Sequence, residues 1–234
     1  MSGFLLLFLY FIIYSFIGYL SEIAYCSIMN KKIVLNRGFF LGPYLPIYGF
    51  CCVIISLLLQ RYYHDLVALF AISFLLCSVI EYLTSYILEK LFKVRWWDYH
   101  DIKFNLNGRV CLLNSLLFGI GGVLLIELVN PIINYLLFYI PTITINIISI
   151  ILLLVFISDL FITLKTLCDI KINSTKYISH DATDEIKKII RKKIEKQSFL
   201  ISRVLNAFPK MSGNNIKIIV EFKRRVNEYR KEKK

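Results

Sequence analysis

Charged side chains are scarce in the first 170 residues of this 234-residue chain. That stretch holds ten Lys or Arg and nine Asp or Glu, whereas the remaining residues hold eighteen and seven. A long, nearly neutral apolar block is not the composition of an ordinary soluble domain. We therefore predict a polytopic membrane domain over residues 1–170 and a basic, helical cytoplasmic tail over residues 171–234.

Motifs for metals, nucleotides and hydrolysis are missing as well. The six cysteines form no C-x-x-C pair, and no histidine stands at metal-ligand spacing from them. The chain also lacks G-x-x-x-x-G-K-[ST], G-x-S-x-G and H-E-x-x-H. We expect reduced cysteines, no metal, no cofactor and no nucleotide site in this chain. The basic tail is expected to set membrane topology and not to bind nucleic acid.

Long runs of apolar residues dominate what is present. A helix needs about 20 apolar residues to cross the hydrocarbon core. Five runs approach or reach that length, and they are residues 4–25, 44–60, 66–92, 110–129 and 142–164. The run from Ile132 to Ile140 is shorter and lies between Pro131 and Pro141, so we predict an interfacial helix there. The predicted fold class is all-α, a membrane bundle of about five transmembrane helices with a helical-hairpin tail.

Basic residues predict how the bundle is oriented. The loops at residues 26–43 and 90–109 and the tail are rich in Lys and Arg, whereas the alternate loops hold only Arg61. The positive-inside rule then places the N-terminus outside the plasma membrane and the tail in the cytoplasm. Apolar residues at helical spacing over 181–208 and 216–229 predict two tail helices. The tail could also dock a partner or bind anionic lipid.

Carboxylates inside the apolar runs are the main functional signal. Glu22 follows Ser15 and Gly18 on one helix face, and Glu81 and Glu89 are eight residues apart on another. A carboxylate is costly to keep inside a membrane, so it must pair with a cation or line a polar cavity. We favour a cavity open to the cytoplasm, which Asp159 would also approach. The alternative is that Glu22 or Glu81 forms a salt bridge with an arginine, Arg37 or Arg109, and locks the helices together.

Two further segments adjoin these carboxylates. Residues 36–49 contain three glycines and two prolines, which favour irregular backbone. The Trp96-Trp97-Asp98-Tyr99 cluster fits an aromatic belt at the membrane interface, with Asp98 as a helix cap or an arginine partner. The candidate cavity residues are Glu22, Arg37, Tyr48, Glu81, Ser85, Glu89, Asp98, Asn107 and Arg109.

Several motifs in order resemble one bacterial family. They are YSFIGYLSE at 14–22, RGF at 37–39, GPY at 42–44, PIYG at 46–49, EYLTS at 81–85, WWDY at 96–99 and NLNGR at 105–109. Together they resemble the "putative ABC-transporter type IV" membrane family, also labelled CmpB and common in Firmicutes. The resemblance covers roughly residues 10–165 and leaves out the tail. Tyr19 and Tyr86 stand where many members have Trp, and His100 stands where Ser is expected.

The resemblance implies a permease-like role with a separate cytoplasmic ATPase subunit. A bundle of about five spans would then need a partner or a second copy of the chain, so a homo-oligomer is one of two possibilities. No catalytic residues carry over from the family, and we favour a protein that is not an enzyme. Two alternatives remain open: a membrane-embedded enzyme acting on a lipid or isoprenoid, and a non-catalytic organiser that recruits cytoplasmic partners through its tail.

Overall fold

In a computed structural model of the chain, the described residues are 3–31, 38–92 and 95–178, together with 200, 203, 204 and 207. They divide into two compact units, of which the first is Met1–Thr84 with Tyr99–Phe161 and the second is Ser85–Asp98 with Ile162–Lys234. The predicted tail hairpin lies almost wholly outside the described residues, and so does Arg37.

Helices account for most of the described chain. They are α1 (Gly3–Asn30), α2 (Pro46–Leu59), α3 (Leu66–Phe92), α4 (Leu112–Leu124), α5 (Asn130–Phe138) and α6 (Thr142–Ile178). A short 3-10 turn, Gln60–Tyr62, extends α2, and a π-helical turn, Leu125–Val129, joins α4 to α5. Two short antiparallel strands, β1 (Asn105–Leu106) and β2 (Val110–Cys111), pair just before α4.

Four helical stretches in the described residues are long and apolar enough to cross a membrane. They are Gly3–Ile28, Leu66–Phe92, Leu112–Phe138 and Thr142–Cys168, and Pro46–Tyr62 is a shorter apolar helix. Helices satisfy every backbone polar group internally, which apolar surroundings require. The prediction of an all-α polytopic membrane bundle is therefore confirmed, and the shortest predicted run, 44–60, corresponds to the short helix.

The chain does not break at Pro131 as predicted. We expected a span ending near Val129 and a separate interfacial helix, but the helix runs on from Leu112 to Phe138. The π-helical turn ends directly before Asn130, and Pro131 lies in the first turn of α5. Proline has no N–H to donate, so it is tolerated where the helix requires no hydrogen bond from that position. The π-helical turn changes the backbone hydrogen bonding directly before Pro131 and so allows the proline there.

A buried polar network lies beside this turn. The Tyr14 phenol donates to Asn130 Oδ1 at 2.6 Å, and Asn130 Nδ2 donates to Ser56 Oγ at 3.0 Å. Tyr14 and Asn130 are both almost fully buried. Interhelical hydrogen bonds of this kind hold helices together in lipid, where apolar burial gives little preference for contact between helices. The network links α1, α2 and α5 within the first unit.

The core of the first unit is built on close contacts at small residues. Its buried cluster comprises Tyr14, Cys51, Ile55, Leu59, Leu69, Cys77, Leu125, Ile126 and Ile133. A side-chain carbon at Gly122 of α4 would overlap the side chain of Ser73 on α3, which is fully buried. Gly122 therefore sets how closely α3 and α4 approach each other.

The variant Gly122→Ala is expected to destabilise the protein by about 1–3 kcal/mol, because its methyl group overpacks against Ser73. The adjacent Gly121 is a matched control, since nothing lies within 4 Å of an added side-chain carbon there. Thermal unfolding of the purified protein in detergent should show a lower midpoint for Gly122→Ala alone. Equal midpoints for the two variants would contradict this packing.

Candidate functional site

Glu22 of α1 is held by a phenol from α2. The Tyr48 hydroxyl donates a hydrogen bond to Glu22 Oε2 at 3.0 Å, and the Cys26 thiol donates to Oε1 at 3.2 Å. The Tyr48 ring lies against Gly18, one turn before Glu22, and a side chain at Gly18 would overlap that ring. The small face predicted for α1 thus admits Tyr48 to the neighbourhood of Glu22.

Glu81 of α3 is the more deeply buried carboxylate, with only 7% of its surface exposed. The Tyr99 hydroxyl donates to Glu81 Oε1 at 3.2 Å, and Asn114 Nδ2 of α4 donates to the Tyr99 oxygen at 2.8 Å. The second carboxylate oxygen, Oε2, is buried and receives no hydrogen bond of normal geometry from the described residues. The Asn114 amide nevertheless lies close enough to the carboxylate to interact with it.

A tight hairpin holds Tyr99 in this position. The Tyr99 N–H donates to the Gly108 carbonyl at 2.8 Å. Asn107 and Gly108 both have positive φ, of 53° and 65°, as a type I′ turn requires, and Asn-Gly is the favoured sequence for it. Asn105 Oδ1 accepts from the Gly108 N–H at 2.9 Å. The Asn-x-Asn-Gly motif therefore shapes the backbone that carries Tyr99.

The two carboxylates and their phenols form one cluster. Burial raises the pKa of the Tyr99 phenol well above its ordinary value, and the carboxylates of Glu81 and Glu22 raise it further. Tyr48 also lies within electrostatic range of both Glu81 and Tyr99. We call Glu22, Tyr48, Glu81, Tyr99 and Asn114 the carboxylate–tyrosine site. All five belong to the first unit.

Neither carboxylate of this site forms an ion pair within the described part of the chain. The predicted alternative paired Glu22 or Glu81 with Arg37 or Arg109. Arg37 lies outside the described residues. The guanidinium of Arg109 instead lies 5.6 Å from the centre of the Tyr82 ring, and Asn107 Nδ2 donates to the Tyr82 hydroxyl at 3.1 Å.

Three other candidate residues belong to the second unit. Arg95 Nε lies 3.2 Å from Glu89 Oε2, and Arg95 Nη1 lies 3.8 Å from Asp98 Oδ1. Of the two predicted roles for Asp98, helix cap or arginine partner, the structure therefore has the arginine partner. Ser85 is buried in α3. Trp96 is also buried, with its ring edge-on to Phe92, so it does not fit the aromatic belt that we predicted.

Asp159 of α6 has a different role from the one we expected. Its carboxylate accepts hydrogen bonds from the N–H groups of Leu41 and Gly42, at 2.9 and 2.8 Å, and from the Tyr44 hydroxyl at 2.5 Å. It is buried, and Phe40 and Tyr44 pack around Phe156 one turn away. Asp159 therefore fastens the irregular segment that leads into α2.

Sequence reasoning did not assign Tyr99 or Asn114 to the candidate cavity. Tyr99 follows two tryptophans in a loop, where no periodicity indicates the direction of a side chain. Asn114 gave a usable signal, because it is a polar residue in an apolar helix and shares a face with small residues. A Tyr or Asn donor is what a buried carboxylate without an arginine requires.

The chemistry available at this site is that of oxygen acceptors in apolar surroundings. Both phenol protons are donated to carboxylates. The hydrogen-bonding positions that remain in the cluster are therefore mainly acceptors. Within the described residues, no group of three or more His, Cys, Asp or Glu side chains has the arrangement of a metal site. The cluster can therefore accept hydrogen bonds or balance a positive charge.

Comparison with known proteins gives a family. A family model described as "Putative ABC-transporter type IV" matches residues 9–164, which is more than half of the chain and includes the whole carboxylate–tyrosine site. No curated protein and no solved structure matches the chain significantly. The matched range starts within α1 and ends within α6, so it covers the helices that carry the site. The chain is therefore a multi-pass membrane protein that belongs to the putative ABC-transporter type IV family.

Proposed function

We propose that the chain is the membrane-spanning subunit of a transporter and that its carboxylate–tyrosine site contacts the transported substrate. A separate cytoplasmic subunit hydrolyses ATP, and the site lies in the half of the bundle nearest that subunit. This arrangement follows the family description and the positive-inside rule.

One observation carries the proposal: two carboxylates are kept among apolar helices without an ion pair in the described residues. Such groups cost several kcal/mol at membrane depth unless they are compensated. Substrate pathways are a common reason for retaining them. The phenols of Tyr48 and Tyr99 fix the orientation of both carboxylates, which favours a shaped site over a solvated surface.

The partner subunit gives the direct test. The tagged chain is captured from native membranes in mild detergent, and the co-purifying proteins are identified by mass spectrometry. We expect a nucleotide-binding subunit in a stoichiometric amount and ATP hydrolysis by the captured complex. A tagged multi-pass protein of another family, captured in parallel, controls for non-specific recovery.

Recovery of the chain without any nucleotide-binding subunit would contradict the transporter proposal. Turnover of a lipid phosphate by the purified chain without ATP would replace it with the enzyme alternative. In that case Glu81, with Tyr99 as its hydrogen-bond donor, is the candidate acid–base group.

A further inference from the structure

We infer that the carboxylate–tyrosine site recognises a positively charged organic group carried by the substrate, of the class of ammonium, guanidinium and phosphonium ions. The inference rests on the proposed function, because it names the class of molecule that the site would pass. It concerns only residues of the first unit and does not depend on which side of the membrane the site faces.

The charge of the site is the first argument. Glu22 and Glu81 act on each other electrostatically, and neither has an ion-pair partner among the described residues. A cation beside the two carboxyl groups favours the ionised form of each, which burial otherwise disfavours. Glu81 Oε2, on a side chain that is only 7% exposed, receives no hydrogen bond of normal geometry from the described residues.

Aromatic rings supply the second argument, which is independent of the first. Tyr48 and Tyr99 both contact the carboxylates, and Tyr25 lies within electrostatic range of Glu22. Ring faces attract organic cations by about 0.5–2 kcal/mol each, more when water is excluded. Aromatic side chains are a common means of recognising quaternary ammonium groups.

The donors and ligand types present favour an organic cation over other charged molecules. An anion would meet two carboxylates, and the phenol protons of Tyr48 and Tyr99 are already donated to them. A divalent metal requires more ligands than the described residues bring together here. An organic cation needs charge balance and one or two oxygen acceptors, which the carboxyl groups supply, and two tyrosine rings lie beside them.

Radiolabelled tetraphenylphosphonium, with tetraphenylborate as an anion of the same shape, tests the inference. We expect the purified full-length protein in detergent to bind tetraphenylphosphonium saturably. Glu22→Gln and Glu81→Gln should each weaken this binding about tenfold or more, equivalent to about 1.4 kcal/mol. Glu127→Gln is the matched control, because Glu127 is also a carboxylate in an apolar helix but pairs with His64 at 3.1 Å. That variant should bind as the unmodified protein does.

Three results would overturn the inference. They are no saturable binding, an affinity of both glutamine variants equal to that of the unmodified protein, and displacement of the label by tetraphenylborate as effective as by unlabelled tetraphenylphosphonium. The last result requires only the unmodified protein, so a glutamine variant that elutes as an aggregate in gel filtration does not block the test. Cation binding without a captured ATPase subunit would support the site and contradict the transporter role. Capture of an ATPase subunit without cation binding would support the transporter role and contradict the cation site.

Discussion

The Asp159→Ala variant is expected to lose about 3 kcal/mol or more of unfolding free energy. The substitution removes the acceptor for two backbone N–H groups, those of Leu41 and Gly42, and for the Tyr44 hydroxyl. Each buried donor that is left without a partner costs about 1–3 kcal/mol. Because Asp159 is itself buried, water does not readily replace the lost contacts. The segment before α2 should then separate from α6.

Thermal unfolding in detergent and limited proteolysis between Gly38 and Leu45 measure this effect. Ser158→Ala is the matched control, because Ser158 is the adjacent residue of α6, is exposed, and among the described residues bonds only its own helix at Leu154. The unfolding midpoint of Asp159→Asn should lie between those of Asp159→Ala and Ser158→Ala, since an amide keeps one acceptor oxygen. An unfolding midpoint for Asp159→Ala equal to that of Ser158→Ala would show that the fastening does not stabilise the fold.

Composition and apolar run length were sufficient to predict the helical bundle. In lipid, long runs rich in Leu, Ile and Phe can satisfy their backbone hydrogen bonds only as helices. The sequence therefore predicted helices over these runs. The helix across Pro131 was not predictable, because the π-helical turn Leu125–Val129 has no signal in hydropathy. A proline between apolar residues predicts a break unless the hydrogen bonding before it is known to change.

The candidate site was predictable only where helix periodicity applies. Glu22 and Glu81 lie on faces marked by small or polar neighbours, and those faces meet partners from other helices. Tyr99 was not predictable, because its position depends on a hairpin turn and on a long-range hydrogen bond to Gly108. Asp159 was identified as a membrane carboxylate, but its acceptor role depends on the conformation of a distant segment.

The proposed transporter role requires water and solutes to reach the carboxylate–tyrosine site from the cytoplasm. Asn114 reports on the site, since its amide contacts Tyr99 and its side chain is only partly buried. Ser115 is the matched control, because it is the next residue, is buried, and lies 2.7 Å from the Ser78 hydroxyl. Each is replaced by cysteine in a variant whose native cysteines are serine, and that variant must retain the unfolding midpoint of the parent.

The deciding measurement is the rate at which a cationic, membrane-impermeant methanethiosulfonate labels Asn114→Cys in inside-out vesicles. We predict rapid labelling there, slow labelling in right-side-out vesicles, and little labelling of Ser115→Cys in either. A site walled off as a structural lock would leave Asn114→Cys unlabelled until the membrane is dissolved. That result, or equal labelling of the two cysteines, would contradict access to the site from the cytoplasm.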